Sequence, residues 1–237
     1  PFLMTLFFDQ HIKKDTQNVR FSNEESKHLF KVLRKKSGDL IRVTNGKGLA
    51  WEGRLDFVAE RGSVAVIEKV EEFPMAKRQL HLAIAPTKNM SRMEWLVEKL
   101  TELGIQSITP LLCQHSERKV IKPERLQKIM VAALKQSQQY FIPQLHPMQA
   151  FHPFLAQLQG TGHLAHCYPQ PKTPLKALSL QEEHTTLFIG PEGDFSPEEV
   201  AAAEARQVTM ISLGPQRFRT ETAGLLGCHS LLLNSRL

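Results

Sequence analysis

Two stretches near the C-terminal end of the chain decide the fold, and they read LFIGPEGDFSPEE over residues 187–199 and VTMISLGPQRFRTETAG over residues 208–224. In each, a short apolar strand enters a turn that begins with glycine, at Gly190 and at Gly214, and a helix follows. Glycine permits positive φ and close backbone approach, and open α/β sheets bind ligands outside the carboxyl ends of their strands. The two turns therefore predict one shared pocket.

Residues 74–237 alternate between predicted strands and predicted helices. Ser91 is expected to cap the first helix and Gly104 to end it, and Ser196 with Glu199 forms a capping box after the first glycine turn. This alternation indicates an α/β fold with a mostly parallel sheet covered by helices on both faces. Besides the strands of the two turns, strands are predicted over residues 80–85, 108–112 and 163–168, and helices over residues 91–104 and 123–138.

Residues 1–73 follow a different pattern, in which short alternating strands are separated by hairpin turns. One helix, capped by Ser22 and stopped near Gly38, interrupts these strands. The pattern predicts a small β-barrel as a separate domain, with the domain boundary near Phe73. The strands are predicted over residues 40–43, 51–55 and 63–67.

The chain of 237 residues has a net charge of +6, which favours a polyanionic partner. The charge is uneven, because residues 75–145 carry eleven Lys and Arg against five acids and residues 146–237 carry six against eight. No apolar run reaches the roughly 18 residues of a membrane span and no secretory signal is visible, so a cytoplasmic protein without membrane contact is expected. The ten histidines lack metal-ligand spacing, so no metal site is predicted. Three scattered cysteines are expected to be buried free thiols: Cys113, Cys167 and Cys228.

Residues 219–224, RTETAG, place a cation, two hydroxyls and a carboxylate in a loop and the first turn of a helix, where backbone N–H groups are free. A ligand site and an ordinary helix start both fit this run. The first glycine turn matches neither the dinucleotide fingerprint nor the phosphate loop, and an ordinary strand–helix turn also fits it. Basic side chains in loops and at helix ends fit either RNA contact or a solvated surface: Lys31, Arg34, Lys35, Lys36, Lys88, Arg92, Arg118 and Lys119.

Together these motifs resemble the signature of the bacterial 16S rRNA (uracil-N3)-methyltransferases of the SPOUT superfamily. The resemblance covers nearly the whole chain, and its most specific part is the pair of C-terminal motifs. It rests on FIGPEG at 188–193 and RTETA at 219–223, with EWL at 94–96, TELG at 101–104 and NGKG at 45–48.

The resemblance implies an N-terminal PUA-like β-barrel that binds RNA, residues 1–73, and a SPOUT methyltransferase domain with a deep trefoil knot, residues 74–237. It implies a homodimer that uses S-adenosylmethionine. The implied substrate is one uridine in the decoding region of small-subunit (16S) rRNA, methylated at N3 in the assembled or nearly assembled small subunit. The alternative is a non-catalytic RNA-binding ribosome-assembly protein with the same fold, and a third hypothesis is the same fold acting on another nucleoside or on tRNA.

The same resemblance implies which residues act. N3 of uracil must lose its proton before it can accept a methyl group, and stabilising negative charge on the flanking oxygens favours that loss. Arg219 is the candidate for this stabilisation, and Glu221 is the candidate for fixing Arg219 or its loop. The implied cofactor-binding residues are Phe188, Ile189, Gly190, Glu192, Gly193, Ile211, Ser212, Leu213, Gly214, Phe218, Arg219, Thr220, Thr222 and Ala223.

Six positions depart from the family pattern. Asp194 stands where the family usually has glycine, and His115 and Gln139 stand where it usually has arginine. Gln216, Arg217 and Phe218 stand where it usually has Arg-Ile-Leu. The loss of these cations bears on the contact with RNA more than on the binding of the cofactor.

Overall fold

A computed structural model describes residues 5–178 and 182–236. The chain forms two compact units, one built from residues up to Met75 together with Leu134–Ile142, and the other from Ala76–Ala133 and from Pro143 onward. In the described part of the chain, no helix is long and apolar enough to cross a membrane.

The N-terminal unit contains a five-stranded sheet in the order β1-β3-β4-β5-β2. The pair β1 and β3 is parallel, and the other neighbours are antiparallel. The three strands predicted here are confirmed, and all three are longer than predicted. The strands are β1 (Leu6–Phe8), β2 (Asn18–Arg20), β3 (Leu40–Thr44), β4 (Leu49–Phe57) and β5 (Val64–Glu72).

This sheet is curled around an apolar core that includes the buried side chains of Phe7, Leu29 and Trp51. Register shifts between β4 and β5 at Glu52/Gly53 mark a β-bulge, which bends the strands. A Cβ at Gly53 would lie 2.2 Å from the carbonyl oxygen of Val66, so only glycine fits at this bend. The predicted small β-barrel is confirmed in the form of a half-barrel.

The helix of this unit begins as predicted and ends earlier. The Ser22 hydroxyl accepts a hydrogen bond from the Glu25 N–H at 3.2 Å and starts α1 (Asn23–Lys27). The chain continues as one π-helical turn, His28–Val32, and stops where Arg34 adopts a left-handed φ of 52°. The predicted end near Gly38 is therefore wrong by several residues, because Arg34 takes the left-handed backbone position that usually falls to glycine.

The segment Leu134–Ile142 belongs to the N-terminal unit, although it lies outside the residues that the sequence pattern assigns to the first domain. Arg42 donates a hydrogen bond to the Tyr140 hydroxyl at 2.5 Å, and the rings of Phe73 and Tyr140 stack with centroids 4.3 Å apart. Lys135 forms an ion pair with Glu25 at 2.7 Å. These contacts fix a distant piece of chain to the sheet.

The C-terminal unit contains an eight-stranded sheet whose main path is β11-β13-β10-β12-β6-β7-β8, with β9 also pairing with β7. Every pairing in it is parallel, which confirms the predicted mostly parallel sheet. The strands are β6 (Gln79–Ile84), β7 (Ser107–Leu112), β8 (Gln144–Leu145), β9 (Gln149–Ala150), β10 (Thr161–Ala165), β11 (Thr173–Pro174), β12 (His184–Ile189) and β13 (Thr209–Ser212).

Helix boundaries in this unit follow local capping. Asn89 caps the first of these helices by accepting the Ser91 N–H at 3.0 Å, so the predicted cap at Ser91 is wrong by two residues. Gly104 ends this helix with a φ of 78°, as predicted, and the capping box of Ser196 and Glu199 is present in both directions. The helices are α2 (Met90–Leu103), α3 (Pro123–Ser137), α4 (Phe151–Ala156), α5 (Pro197–Ala205) and α6 (Thr220–Arg236), and the last turn of α3 belongs to the N-terminal unit.

Helices cover both faces of the parallel sheet. Neighbouring residues of a strand point to opposite faces, so Leu187 and Phe188 of β12 pack against different helices. On one face, a Cβ added at Gly227 of α6 would lie 2.6 Å from Leu187, which shows how closely α6 packs there. On the other face, Phe188 packs in a cluster with Phe151 of α4 and Val200 of α5.

His81 on β6 is a half-buried titratable group of this unit, and its Nε2 atom is buried. Its ring stacks on Phe154 with centroids 5.6 Å apart, and its Nδ1 lies 2.5 Å from the Ser107 hydroxyl. Burial, together with the nearby His146, lowers the pKa of His81 to about 4. The ring is therefore neutral in the folded protein at pH 7.

The folded-state pKa of His81 lies below the value of about 6.5 expected for the unfolded chain, so protons favour unfolding. We expect this residue to remove about 3 kcal/mol of stability as the pH falls from about 6.5 to about 4, and no more below that range. His81→Gln should reduce the acid slope of the free energy of unfolding, measured by urea denaturation at several pH values. His152→Gln, at an exposed position, is the control. An unchanged slope in His81→Gln would contradict the assignment.

Candidate active site

Three loops at the carboxyl ends of neighbouring parallel strands enclose a cavity of about 760 Å³. The loops follow β12, β10 and β13, and β10 lies between the other two strands in the sheet. Arg92 of α2 also lines the cavity. The two glycine turns thus contribute to one pocket, at the sheet edge where α/β folds bind ligands.

One buried hydrogen bond joins the two glycine turns. The Thr220 hydroxyl, at the start of α6, donates to the Gly190 carbonyl at 3.2 Å. Gly190 leaves no free space, since an added Cβ would lie 3.0 Å from the Phe195 ring. Gly214 has a φ of 141°, which other residues rarely adopt. Both glycines are therefore required by the local geometry.

Most of the residues that the family resemblance assigns to the cofactor line this cavity. Phe188 does not, because it points into the core beneath the sheet. Gly193 packs against His115 instead, and Thr222 is likewise outside the cavity wall. The predicted residues that do line it are Ile189, Gly190, Glu192, Ile211, Ser212, Leu213, Gly214, Phe218, Arg219, Thr220 and Ala223.

The loop after β10 is the part of the wall that sequence reasoning missed. The predicted strand over residues 163–168 ends at Ala165, and the chain leaves the sheet at His166. Pro169 and Pro171 follow, and prolines are the signal that could have marked this end. Further lining residues without a prediction as cofactor ligands are Arg92, Ala165, His166, Cys167, Lys172, Pro191, Asp194, Pro215, Gln216 and Arg217.

Cys167 is exposed, so the expectation of a buried thiol is wrong at this position, whereas it is confirmed for Cys113 and Cys228. The reason is the early end of β10, which places Cys167 in the loop. No group of three or more metal-binding side chains occurs in residues 5–178 and 182–236.

Asp194 connects the loops. Its backbone is left-handed, with a φ of 66°, and its carboxylate accepts the Cys167 N–H at 2.7 Å and the Phe195 N–H at 2.8 Å. Nδ1 of His115 lies 3.1 Å from the carbonyl oxygens of both Gly193 and Asp194. Two positions that depart from the family pattern, His115 and Asp194, therefore interact directly and hold the loop after β12.

Charged side chains of both signs reach the cavity. Lys172 donates to the carbonyl oxygens of His166 at 3.0 Å and Tyr168 at 2.6 Å. Burial, and to a smaller extent Lys172, lowers the pKa of His166. Glu192 accepts the Lys88 N–H at 2.9 Å.

Among the described residues, the ion pair of Glu221 is with Arg92 and not with Arg219. Glu221 is buried and its carboxylate lies 3.7 Å from the guanidinium of Arg92, because the first turn of α6 faces α2. Arg219 is exposed at the cavity wall, and among the described residues it has no ion-pair partner. Its guanidinium is therefore available to form hydrogen bonds with a bound molecule.

The candidate RNA-contacting residues fall into two groups. Several are engaged within the protein: Lys31 with Glu60 at 3.0 Å, Lys88 with Glu117 at 2.7 Å, and Arg118 with the Thr87 carbonyl at 3.2 Å. Arg92 lies in the cavity wall. The other side chains are exposed or half-buried: Arg34, Lys35, Lys36 and Lys119.

Comparison with known proteins agrees with this fold and site. A family model described as "RNA methyltransferase domain" matches residues 74–232, and one described as "RNA methyltransferase PUA domain" matches residues 21–68. The domains and the fold are therefore those of an RNA methyltransferase.

The ribosomal RNA small subunit methyltransferase E of Synechocystis sp. is 30% identical over 215 residues, covering 86% of this chain and 69% of that protein. The Bacillus subtilis protein of the same name is 26% identical and covers 94% of this chain and 93% of its own. The chain belongs to this family of ribosomal RNA small subunit methyltransferases, which confirms the family that its motifs resemble.

Solved structures show the same fold over almost the whole chain. The crystal structure of "probable rRNA-methyltransferase from Porphyromonas gingivalis" has a TM-score of 0.90 at 30% identity, covering 98% of this chain and 99% of that one. The Legionella pneumophila protein Lpg2936, in complex with its cofactor SAM, has a TM-score of 0.86 at 25% identity and covers 98% of each chain.

Proposed function

We propose that the protein transfers a methyl group from S-adenosylmethionine to N3 of a specific uridine in the decoding region of 16S rRNA. The observation that carries the proposal is the convergence of both glycine turns on one cavity at the carboxyl edge of the sheet. The relatives named for methylation of small-subunit ribosomal RNA support it.

The residues of the cavity fit S-adenosylmethionine. The volume of the cavity, about 760 Å³, lies in the range of small-molecule sites, roughly 300–1,000 Å³. Apolar side chains such as Ile189 and Leu213 suit the adenine ring, and the backbone of the glycine turns lies close enough to contact its polar edge. Lys172 and Glu192 supply charges of opposite sign for the carboxylate and the amine of the methionine part. The Legionella relative with bound cofactor supports this assignment.

When bound, S-adenosylmethionine supplies an electrophilic methyl group on a positively charged sulfur. The protein's own part is to orient the uracil and to favour loss of the N3 proton. Arg219 would fill this role, because its planar guanidinium can donate to a carbonyl oxygen beside N3 as negative charge develops there. Glu221 is a positioning residue, which holds Arg92 against the cavity wall.

The same proposal covers the contact with RNA, the location, the oligomeric state and the chain topology of the protein. The half-barrel and the basic loops would bind ribosomal RNA, through Lys31, Arg34, Lys35, Lys36, Lys88, Arg92, Arg118 and Lys119. We also propose a cytoplasmic homodimer and a trefoil knot in the C-terminal unit. Leu226 and Leu233, both exposed on α6, are apolar side chains that support a dimer contact on this helix.

The experiment is mass spectrometry of nucleosides after the protein and S-adenosylmethionine have been incubated with unmodified small subunits, naked 16S rRNA or tRNA. We expect 3-methyluridine from small subunits, with little or none from tRNA. No methylated nucleoside from any RNA, despite calorimetric binding of the cofactor, would favour the alternative of a non-catalytic assembly protein. Another methylated nucleoside would overturn the assignment of N3.

Arg219→Lys should lower the rate of 3-methyluridine formation by about 10- to 100-fold, since a point charge does not replace a planar fork of donors. The rate is measured with small subunits under single-turnover conditions. Arg206→Lys is the matched control, because Arg206 is exposed, lies outside the cavity wall and donates from its guanidinium to the Ala156 carbonyl at 3.0 Å. A normal rate in Arg219→Lys would remove Arg219 from the mechanism.

A further inference from the structure

The π-helical turn of the N-terminal unit presents an unusual surface. Leu29 is buried in the core, whereas the neighbouring Phe30 and Val32 are 45% and 65% exposed. Large apolar side chains in solvent, surrounded by charge, are typical of a binding surface. We call this the basic–aromatic surface, and it consists of Lys27, Phe30, Lys31, Val32, Arg34, Lys35 and Lys36.

The charge of this surface has one sign. Residues 27–36 hold five Lys and Arg and no acid. Among the described residues, Lys31 is the one residue of the surface whose side-chain cation pairs with a carboxylate, that of Glu60, while the backbone N–H of Lys36 donates to the Asp39 carboxylate at 2.9 Å. The remaining cations are available to a polyanion.

The backbone places Arg34 at the end of the π-helical turn in a left-handed conformation, with a φ of 52°. Two hydrogen bonds hold this end, from the Leu33 N–H to the His28 carbonyl and from the Lys35 N–H to the Leu29 carbonyl, both at 3.0 Å. Glycine usually occupies such a position, because a side chain there is strained. Replacing Arg34 by glycine would therefore remove the side chain and relieve the backbone strain at the same time. The loss of a side-chain contact with a ligand can then be distinguished from damage to the fold.

We propose that the basic–aromatic surface binds an unpaired nucleotide of RNA, with Phe30 stacking on the base and Arg34 contacting a phosphate. The inference rests on the proposed function, which makes RNA the partner, and adds the kind of RNA that the N-terminal unit recognises. An exposed aromatic ring among cations is the combination that binds single-stranded nucleic acid, because every base offers a face for stacking.

An anionic membrane is the other polyanion that such a surface meets, and the structure favours RNA. Membrane-surface helices carry a long apolar face. Here α1 and the π-helical turn span only Asn23–Lys27 and His28–Val32, and two large apolar side chains are exposed. The surface is therefore too small for insertion and large enough for one base.

The test uses two RNA hairpins with the same stem, one carrying a bulge of three unpaired nucleotides and one fully paired along the stem, with binding followed by fluorescence anisotropy. Wild type should prefer the bulged hairpin. Phe30→Ala should weaken binding of the bulged RNA by about 5- to 100-fold and remove the preference, whereas Phe30→Trp should keep it. Phe57→Ala is the matched control, since Phe57 is 54% exposed in the same unit beside an acid, Asp56.

Arg34→Gly gives an independent readout. This change relieves a left-handed backbone, so the melting temperature should stay the same or rise, while RNA affinity falls and the salt slope of log K decreases by about 1. Gln207→Gly relieves the same geometry, with a φ of 60° after α5, and should leave RNA binding unchanged. A protein that is more stable and binds RNA less well cannot be explained by damage to the fold.

Equal RNA binding by wild type and Phe30→Ala would overturn the proposal, as would equal losses in Phe30→Ala and Phe57→Ala. Phe30-dependent binding to phosphatidylserine vesicles, without a preference for bulged RNA, would replace RNA by a membrane. Methyl transfer to small subunits is measured on the same wild-type preparation. If no 3-methyluridine forms while the bulge preference persists, the proposed function fails and the inference about this surface stands.

Discussion

The hydrogen bond from the Thr220 hydroxyl to the Gly190 carbonyl is the contact on which the site depends. It joins the first residue of α6 to the first residue after β12, and both are buried. Because α6 is packed on the sheet beneath, this hydrogen bond of 3.2 Å fixes the distance between the two glycine turns. The cavity is the space that remains between them, and residues on both sides of it are set by the same contact.

The order of the strands in the sheet brings a third loop, the one after β10, to the wall of the cavity. Since β10 lies between β12 and β13, its loop must emerge between the two glycine turns. Asp194 holds that loop through the Cys167 N–H, and the pair of Glu221 with Arg92 brings α2 to the opposite side. In these contacts, charged side chains hold the loops and helices around the cavity in position. Arg219 takes part in none of them and is an exposed cation beside the cavity. A site that must hold an RNA substrate beside a methyl donor gains from such preorganised walls.

Most features that could be predicted from the residues themselves are local ones. The glycine turns, the capping box at Ser196 and the end of α2 at Gly104 depend on residues within one turn of each other. The alternation of strands and helices also predicted the parallel sheet, and the family resemblance implied the eleven cofactor residues that line the cavity. The features that could not be predicted depend on long-range packing. The Arg92–Glu221 pair joins residues far apart in the chain, and the position of β10 follows from strand order, which no local pattern contains.

The central claim is that the joined glycine turns form the cofactor site, and calorimetry with S-adenosylmethionine tests it at the joint itself. Thr220→Ser keeps the hydroxyl that donates to Gly190, whereas Thr220→Val keeps the shape of the side chain and leaves the buried carbonyl without its donor. We expect Thr220→Ser to bind the cofactor like wild type and Thr220→Val to bind it about tenfold more weakly or worse, in folded protein. Equal affinity of Thr220→Val and wild type would contradict the account.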